Sequence, residues 1–370
     1  MKKPIRVSQI GSRGIPGHRG GVERVIEAVT PRLVALGLDV TVYCASWSKY
    51  REASYRGVKL RYIYSIPTKY LDTIVRSLLS TLRDIVGPSD IIHCHGSGSA
   101  PMALLARLFG KKVVVTVHGL DWQRRKWSAF GRWFLSMGER AAIRLPHQTI
   151  VVSEELKRTL DSQYGGKVVY IPNGVEERPQ RAPDRILQLG LGARKYILYL
   201  ARLVPEKQCH VLIEAFRSLA DKRGFKLIIA GPTWHSEQYV ASLRTLAGDD
   251  RDIIFLGEVD EAMLEELYSN CYAYVLPSEV EGMSLSLLDA MAFGSCIVAS
   301  DIAANADLVG DSGVLFKTGN AADLSAKLDA IIANADRAEQ YRQKALQRMT
   351  SEFNWDRISR QWEAVYVSLT

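Results

Sequence analysis

No stretch of the 370 residues stays apolar for the roughly 18 positions that a membrane-crossing helix needs, so no bilayer span is expected. The start, Met1-Lys2-Lys3-Pro4-Ile5-Arg6, is basic, but Arg6, Ser8 and Gln9 interrupt any hydrophobic segment behind it, and no signal peptide is expected. Cysteine is scarce: Cys44, Cys94, Cys209, Cys271 and Cys296 are odd in number, scattered, and never spaced C-x-x-C. That excludes a zinc knuckle and a disulfide framework, and points to reduced, mostly buried thiols in a cytosolic protein. P-loop and G-x-G-x-x-G patterns are also missing. With 47% hydrophobic and 24% charged residues, the composition rules out disorder, collagen and coiled coil, and the length suits two domains.

The charge is uneven. Residues 1–180 hold 28 Lys+Arg against 14 Asp+Glu, a net of +14, whereas residues 181–370 hold 20 against 26, a net of −6. A basic amino-terminal half suits an anionic partner: nucleic acid, lipid headgroups or a phosphorylated substrate. A solvated basic surface without a partner is the plainer alternative.

Strand-like and helix-like segments alternate from end to end. Ile5–Ile10 is a short strand ending in a glycine-rich turn, and Val40–Cys44, Ile91–His95 and Val113–Val117 are short, β-branched and almost continuously apolar, as parallel strands covered on both faces are. Helical spacing links Val22, Val25, Ile26, Val29, Leu33 and Leu36 up to a stop at Gly37, and recurs over Leu71–Ile85 and Met102–Phe109. A second series of strands follows at Tyr196–Leu200, Lys226–Ala230, Ile253–Leu256, Ala273–Leu276 and Ile297–Ala299. The pattern predicts two doubly wound α/β halves, which bind ligands at the carboxyl ends of their strands. Phe353–Leu369 is aromatic and amphipathic.

The sharpest constellation runs from Pro277 to Gly294. A loop with Glu279 and Glu281 leads to Ser284, an N-cap candidate for a helix ending at Gly294. The first helical N–H groups, near Ser284 and Leu285, lack intrahelical partners and with the helix dipole favour an anion. Glu281 and Asp289 flanking such a site would accept hydrogen bonds from vicinal hydroxyls, which suggests a sugar, a phosphate and another sugar. Alternatively Asp289 is solvated and Glu281 caps the helix. Arg202 and Lys207, after strand 196–200, are two cations before a helix, an arrangement the dipole opposes unless an anion such as a diphosphate lies between them. Gly20-Gly21 opens the first helix, where bare backbone can approach a ligand closely.

His118 directly follows strand 113–117 and is a candidate polar contact to a reacting group. His93-x-His95 has the spacing of a metal pair, but without a carboxylate nearby packing is the expected role. Trp122, Trp127, Phe130, Trp133 and Phe134 are interleaved with Arg124, Arg125, Lys126 and Arg132. Such a mixture suits a membrane interface or an acceptor-lipid site, or else buried aromatics under solvated cations.

Taken together these motifs resemble the retaining glycosyltransferases of family 4, which have the GT-B fold. The family's E-x7-E signature, E-G-x-G-L-x-x-L-E-A-M-A-x-G, lies over Glu281–Gly294. Arg202 and Lys207 match its G-R-L-x-x-E-K-G segment, Gly20-Gly21-Val22-Glu23 its first loop, and Ile171–Val175 its I-P-N-G-V junction. Gly11–Cys44 and His118–Trp122 look like a rhamnosyltransferase-like subgroup of surface-polysaccharide pathways. The resemblance implies an α/β architecture of two Rossmann-like parallel-sheet domains facing a central cleft. Residues 1–177 would be the acceptor-binding domain, 178–194 a linker, 195–352 the nucleotide-sugar domain, and 353–370 a helix packing back across the domains.

It further implies that Glu281 binds donor-sugar hydroxyls, that Arg202, Lys207 and backbone N–H groups near Ser284-Leu285 bind the diphosphate, and that His118 lies beside the sugar and acceptor. Gly20 and Gly21 would border the nucleotide sugar. The sequence departs from the pattern twice: the ribose-binding carboxylate is Asp289, one methylene shorter than the usual Glu, and Ser284 replaces a signature glycine. The implied activity is hexosyl transfer from a nucleoside-diphosphate sugar to a saccharide acceptor, lipid-linked in this reading, in cell-surface polysaccharide synthesis. No metal or other cofactor and no nucleic acid is expected. Arg124, Arg125, Lys126 and Trp127 would meet the acceptor or the inner face of an anionic membrane, making the enzyme peripheral. A nucleotide-sugar 2-epimerase of the same fold and a non-enzymatic binder of anionic lipid or nucleic acid are the competing readings.

Overall fold

The computed structural model describes residues 3–17, 20–66, 68, 71–120, 122, 129–165, 168–233 and 236–370. The chain divides into two compact units, Met1–Gly174 with Trp355–Thr370, and Val175–Asn354.

The first unit holds β1 (Arg6–Ile10), β2 (Asp39–Ala45), β3 (Ser54–Tyr55), β4 (Val58–Ile63), β5 (Ile91–His95), β6 (Lys112–Val117), β7 (Gln148–Val151) and β8 (Val168–Tyr170). Its helices are α1 (Gly21–Ala35), α2 (Leu71–Ile85), α3 (Met102–Leu108), α4 (Ala129–Arg144) and α5 (Glu154–Tyr164). The sheet order is β3-β4-β2-β1-β5-β6-β7-β8, parallel except for the β3–β4 hairpin. That hairpin was not foreseen. Its turn residues, Arg56 and Gly57, both have positive φ (48° and 82°), as a two-residue turn matched to strand twist requires, but Arg in place of Asn hides the signal. The central strands are apolar on both faces because helices cover both: every residue of β5 is buried.

The second unit contains α6 (Arg185–Gln188), β9 (Tyr196–Leu200), α7 (Cys209–Arg217), β10 (Lys226–Ala230), α8 (Glu237–Ala247), β11 (Ile253–Gly257), α9 (Glu261–Asn270), β12 (Ala273–Leu276), α10 (Leu285–Ala292), β13 (Cys296–Ser300), α11 (Ala303–Val309), β14 (Gly313–Phe316), α12 (Ala321–Ile332) and α13 (Ala335–Glu352). Its six strands are all parallel, in the order β11-β10-β9-β12-β13-β14. The chain winds outward from β9 in one direction and then restarts at β12 on the other side, so β9 and β12 flank a topological switch point. In the first unit β1 and β5 do the same. Loops leaving the carboxyl ends of such a strand pair diverge and open a crevice.

The chain passes between the units after Gly174 and after Asn354. The final helix, α14 (Trp355–Val367), belongs to the first unit, where it packs on α1 and its Asp356 accepts a 2.7 Å bond from Arg32. Gly174 lies flat under Trp355: a Cβ there would stand 2.6 Å from the indole. The segment 178–194, expected as a linker, is built into the second unit. Glu265 and Glu266 of α9 are buried; Glu265 takes Arg178 at 2.8 Å and Arg181 at 2.7 Å, and Glu266 accepts the backbone N–H of Ile186 at 2.9 Å. Proline and charge suggested a solvated tether, whereas these charges answer buried carboxylates. All five cysteines are free and buried, which pushes Cys44 up to about 11 and Cys94 and Cys296 up to about 12.

Candidate functional site

In the second unit the two loops at the β9/β12 switch point carry most of the expected site. After β9 the chain passes Arg202, makes a single 3-10 turn over Pro205–Lys207, reverses at Gln208 in the left-handed region (φ 48°), and enters α7. After β12 it runs through Glu279 and Glu281 to Ser284, whose hydroxyl caps α10 by accepting the Leu287 N–H. Three links tie the loops together: an ion pair between Lys207 and Glu281, the Glu279 N–H donating to the Glu206 carbonyl (3.0 Å), and the Gln208 amide donating to the Glu279 carboxylate (2.9 Å). Lys207 and Glu281, assigned to different groups of a ligand from sequence, are thus partners with side chains only 13% and 10% exposed.

Arg202 is exposed, with its carbonyl accepting from the Tyr199 hydroxyl at 3.2 Å. Beside it Gly231 has φ 142°, and a Cβ there would lie 1.8 Å from the Ala201 carbonyl oxygen. Ser284 Oγ lies 3.1 Å from Ser286 Oγ, which in turn lies 2.9 Å from the Tyr274 oxygen; the Tyr274 hydroxyl donates to the carbonyl of Leu200 at 3.1 Å. Burial raises the Tyr274 phenol well above its usual value, aided by the Glu281 and Asp289 carboxylates, so it stays a neutral donor. Asp289 is buried, which removes the solvated alternative. Gln208 Oε1 and Ser278 Oγ are buried without a hydrogen-bond partner among the described residues. Neither was singled out from sequence, where Gln after Lys and Ser after Pro read as ordinary turn residues.

In the first unit, His118 follows β6 directly and is half-buried, with Nε2 3.2 Å from His95 Nδ1. His93 and His95 do point to one face, their rings 4.4 Å apart, and Trp362 of α14 lies against both. Every ring nitrogen of the pair is engaged: His93 with Tyr366 and Thr116, His95 with His118 and Gln9. Burial, with the neighbouring imidazoles, lowers both well below the usual histidine value. Gln9, Thr116, Trp362 and Tyr366 were missed. The readable signal was Gln9, a large polar side chain in a strand whose other residues after Arg6 are small or apolar and all buried.

Gly20 is the N-cap of α1, and the Glu23 carboxylate folds back over it: a Cβ on Gly20 would stand 1.7 Å from Glu23 Oε2. Glu23 accepts the Arg13 N–H at 2.9 Å and Glu27 the Gly17 N–H at 3.0 Å, so the carboxylates of α1 hold the loop before it, while Gly20 caps the helix without a side-chain bond. Arg124, Arg125, Lys126 and Trp127 lie outside the described residues. Trp122, expected in the same aromatic and basic surface, instead turns inward and donates to Glu139 at 2.8 Å, while Trp133 is 60% exposed. Other exposed apolar groups are Leu78 and Leu82 on α2, and Leu104 and Leu108 on α3, two helices that touch. Among the described residues, no helix is long and apolar enough to cross a membrane.

Chemically, the second-unit site offers cations and unpaired helical N–H groups for phosphate, with carboxylates beside them for hydroxyls. The Glycosyltransferase Family 4 model matches residues 19–178 and the Glycosyl transferases group 1 model residues 188–348. The uncharacterised glycosyltransferase YqgM of Bacillus subtilis is 29% identical over 62% of this chain and 62% of its own. A GDP-mannose-dependent α-(1-6)-phosphatidylinositol monomannoside mannosyltransferase of Mycobacterium tuberculosis is 26% identical over 93% of this chain and 94% of its own. The structure of sucrose-phosphate synthase from Thermosynechococcus elongatus superposes with a TM-score of 0.85 at 20% identity, covering 99% of each chain.

Proposed function

Because the chain is a glycosyltransferase of the family 4, GT-B type, with a family 4 domain followed by a group 1 domain, we propose that it moves a hexosyl group, with retention of configuration, from a nucleoside-diphosphate sugar to a lipid-linked saccharide during cell-surface polysaccharide synthesis. The observation that carries this reading is the Lys207–Glu281 pair at the β9/β12 switch point, with Arg202 on one loop and the Ser284-capped helix on the other. In the proposal Arg202, Lys207 and the N–H groups of Leu285 and Ser286 take the diphosphate. Glu281 takes sugar hydroxyls, and buried Asp289 the ribose. Charge that develops on the leaving diphosphate then meets fixed cations and dipoles, which need no reorganisation at the moment of transfer. With that neutralisation in place, no divalent metal is required. His118 of the first unit contacts the transferred sugar.

A lipid-borne acceptor is supported by the +14 charge of residues 1–180, the exposed leucines of α2 and α3, and the phosphatidylinositol-mannoside acceptor in the name of the mycobacterial relative. The test is transfer of labelled sugar from a panel of UDP-, GDP-, dTDP- and ADP-sugars into bacterial lipid extract in EDTA. One donor should label lipid, with the donor's anomeric configuration kept in the product. Transfer that requires added Mg²⁺ or Mn²⁺, or that inverts the anomeric centre, removes the corresponding part of the reading.

A further inference from the structure

Six side chains of the first unit form one unbroken hydrogen-bonded line. Thr116 Oγ1 meets His93 Nε2 at 2.7 Å, and His93 Nδ1 meets the Tyr366 hydroxyl at 2.7 Å. Gln9 Nε2 donates to the Tyr366 oxygen at 3.1 Å, Gln9 Oε1 meets His95 Nε2 at 2.7 Å, and His95 Nδ1 meets His118 Nε2 at 3.2 Å. Thr116, His93, Tyr366, Gln9 and His95 are all at most 2% exposed, so water cannot substitute for a member of the line.

Because burial keeps His93 and His95 neutral, each ring has one donor and one acceptor nitrogen, and the Gln9 amide between Tyr366 and His95 can face in only two ways. The distances choose between them. The 2.7 Å contact from the Tyr366 hydroxyl to His93 has the length of a bond donated by O–H, and the 3.1 Å contact from the Gln9 amide that of one donated by N–H. The opposite direction makes the Tyr366 hydroxyl donate across 3.1 Å to an amide oxygen, beyond the usual ~2.7–2.8 Å for O–H···O. With the amide N–H₂ on Tyr366, its oxygen faces His95, which must donate from Nε2 and therefore accept at Nδ1. His118 must then be the donor, from Nε2.

We propose that Gln9, Tyr366 and His95 are positioning residues that hold His118 by its Nε2–H, so that its neutral form is the Nε2–H tautomer with the lone pair on Nδ1, a form suited to a hydroxyl rather than a phosphate oxygen. The tautomer is a property of the first unit alone; that the hydroxyl belongs to the transferred sugar rests on the function proposed above. The arrangement also gives α14, the last helix of the chain, a role at His118 through Tyr366.

The test is ¹⁵N spectroscopy of histidine-labelled protein without nucleotide at about pH 8, where neutral imidazole predominates. The His118 signals are assigned by their loss in His118→Gln. The expected result is an unprotonated Nδ1 and a protonated Nε2 for both His118 and His95. A His118 protonated on Nδ1 overturns the proposal. Tyr366→Phe should turn the His118 pattern into a mixture of tautomers and lower kcat several-fold while leaving nucleotide affinity unchanged. An unaltered His118 pattern in folded Tyr366→Phe overturns the role given to the line, and the wild-type spectrum decides the tautomer even if that variant does not fold. Absence of transfer by the wild type would count against the function, with the spectrum still deciding this proposal.

Discussion

At the scale of single residues, Lys207 and Glu281 show what the amino-acid pattern carried and what it did not. Each residue type was interpretable from its place after a strand, but their pairing was not, because 74 positions separate them and only the parallel sheet makes them neighbours. The pair has a measurable consequence. Both side chains are largely withdrawn from water, so removing one leaves the other's charge unanswered at a cost of roughly 3–5 kcal/mol. Lys207→Met and Glu281→Gln are therefore each expected to destabilise strongly, and the double variant by clearly less than their sum, with a coupling of about 1–3 kcal/mol in urea unfolding. Additive single effects would mean that the pair does not form. Asp289 illustrates the opposite case. A carboxylate among Leu285, Leu288 and Met291 was conspicuous in sequence, and burial bears out that it is no solvated side chain.

Elements were legible where burial is two-sided. Strands β5, β6, β9, β10 and β12 are short β-branched or aromatic runs whose limits need no tertiary information, and α2 keeps its apolar spacing over the full Leu71–Ile85. The β3–β4 hairpin and the strands β7, β8 and β14 were not, because they are short or lie toward the edges of their sheets, with weaker patterns to read. Gly231 follows β10 directly, and the backbone of the β9 loop passes over it. Gly231→Ala meets both an unsuitable φ and the Ala201 carbonyl, and should cost more than about 2 kcal/mol and weaken donor binding through the displaced Arg202 loop. A denaturation midpoint equal to the wild type would contradict that packing. The seam between β5 and α14 predicts a pH effect. His93 and His95 stay neutral when folded, but the unfolded chain takes up protons on both below about pH 6.5. The unfolded state then binds more protons, so stability is complete above that value and falls as pH drops, by up to about 1.4 kcal/mol per pH unit for each histidine. Unfolding measured from pH 7.5 to 5 should show this slope, and His93→Gln should reduce it; a flat profile would mean that the rings accept protons in place.

For the whole molecule, the charge division visible in composition sets the expected partner of each half. A basic first half near an anionic leaflet gains roughly 1 kcal/mol per cation at the surface, screened beyond a Debye length, and the exposed leucines of α2 and α3 add apolar contact. Flotation with liposomes should therefore rise with anionic lipid, fall with salt, and weaken in Leu104→Ser/Leu108→Ser. Indifference to anionic liposomes at low salt would point to a soluble acceptor.

In the proposed function the β9/β12 switch point of the second unit binds a nucleoside-diphosphate sugar through Arg202, Lys207 and Glu281. The most direct measurement is calorimetric titration of the wild type and Arg202→Ala with UDP-, GDP-, dTDP- and ADP-sugars in EDTA. Loss of a charge-assisted contact of about 1.5–3 kcal/mol predicts that one nucleotide sugar binds the wild type without metal and that the variant binds it at least about tenfold more weakly. No binding of any of them by the wild type, or equal binding by the variant, would rule out this binding site.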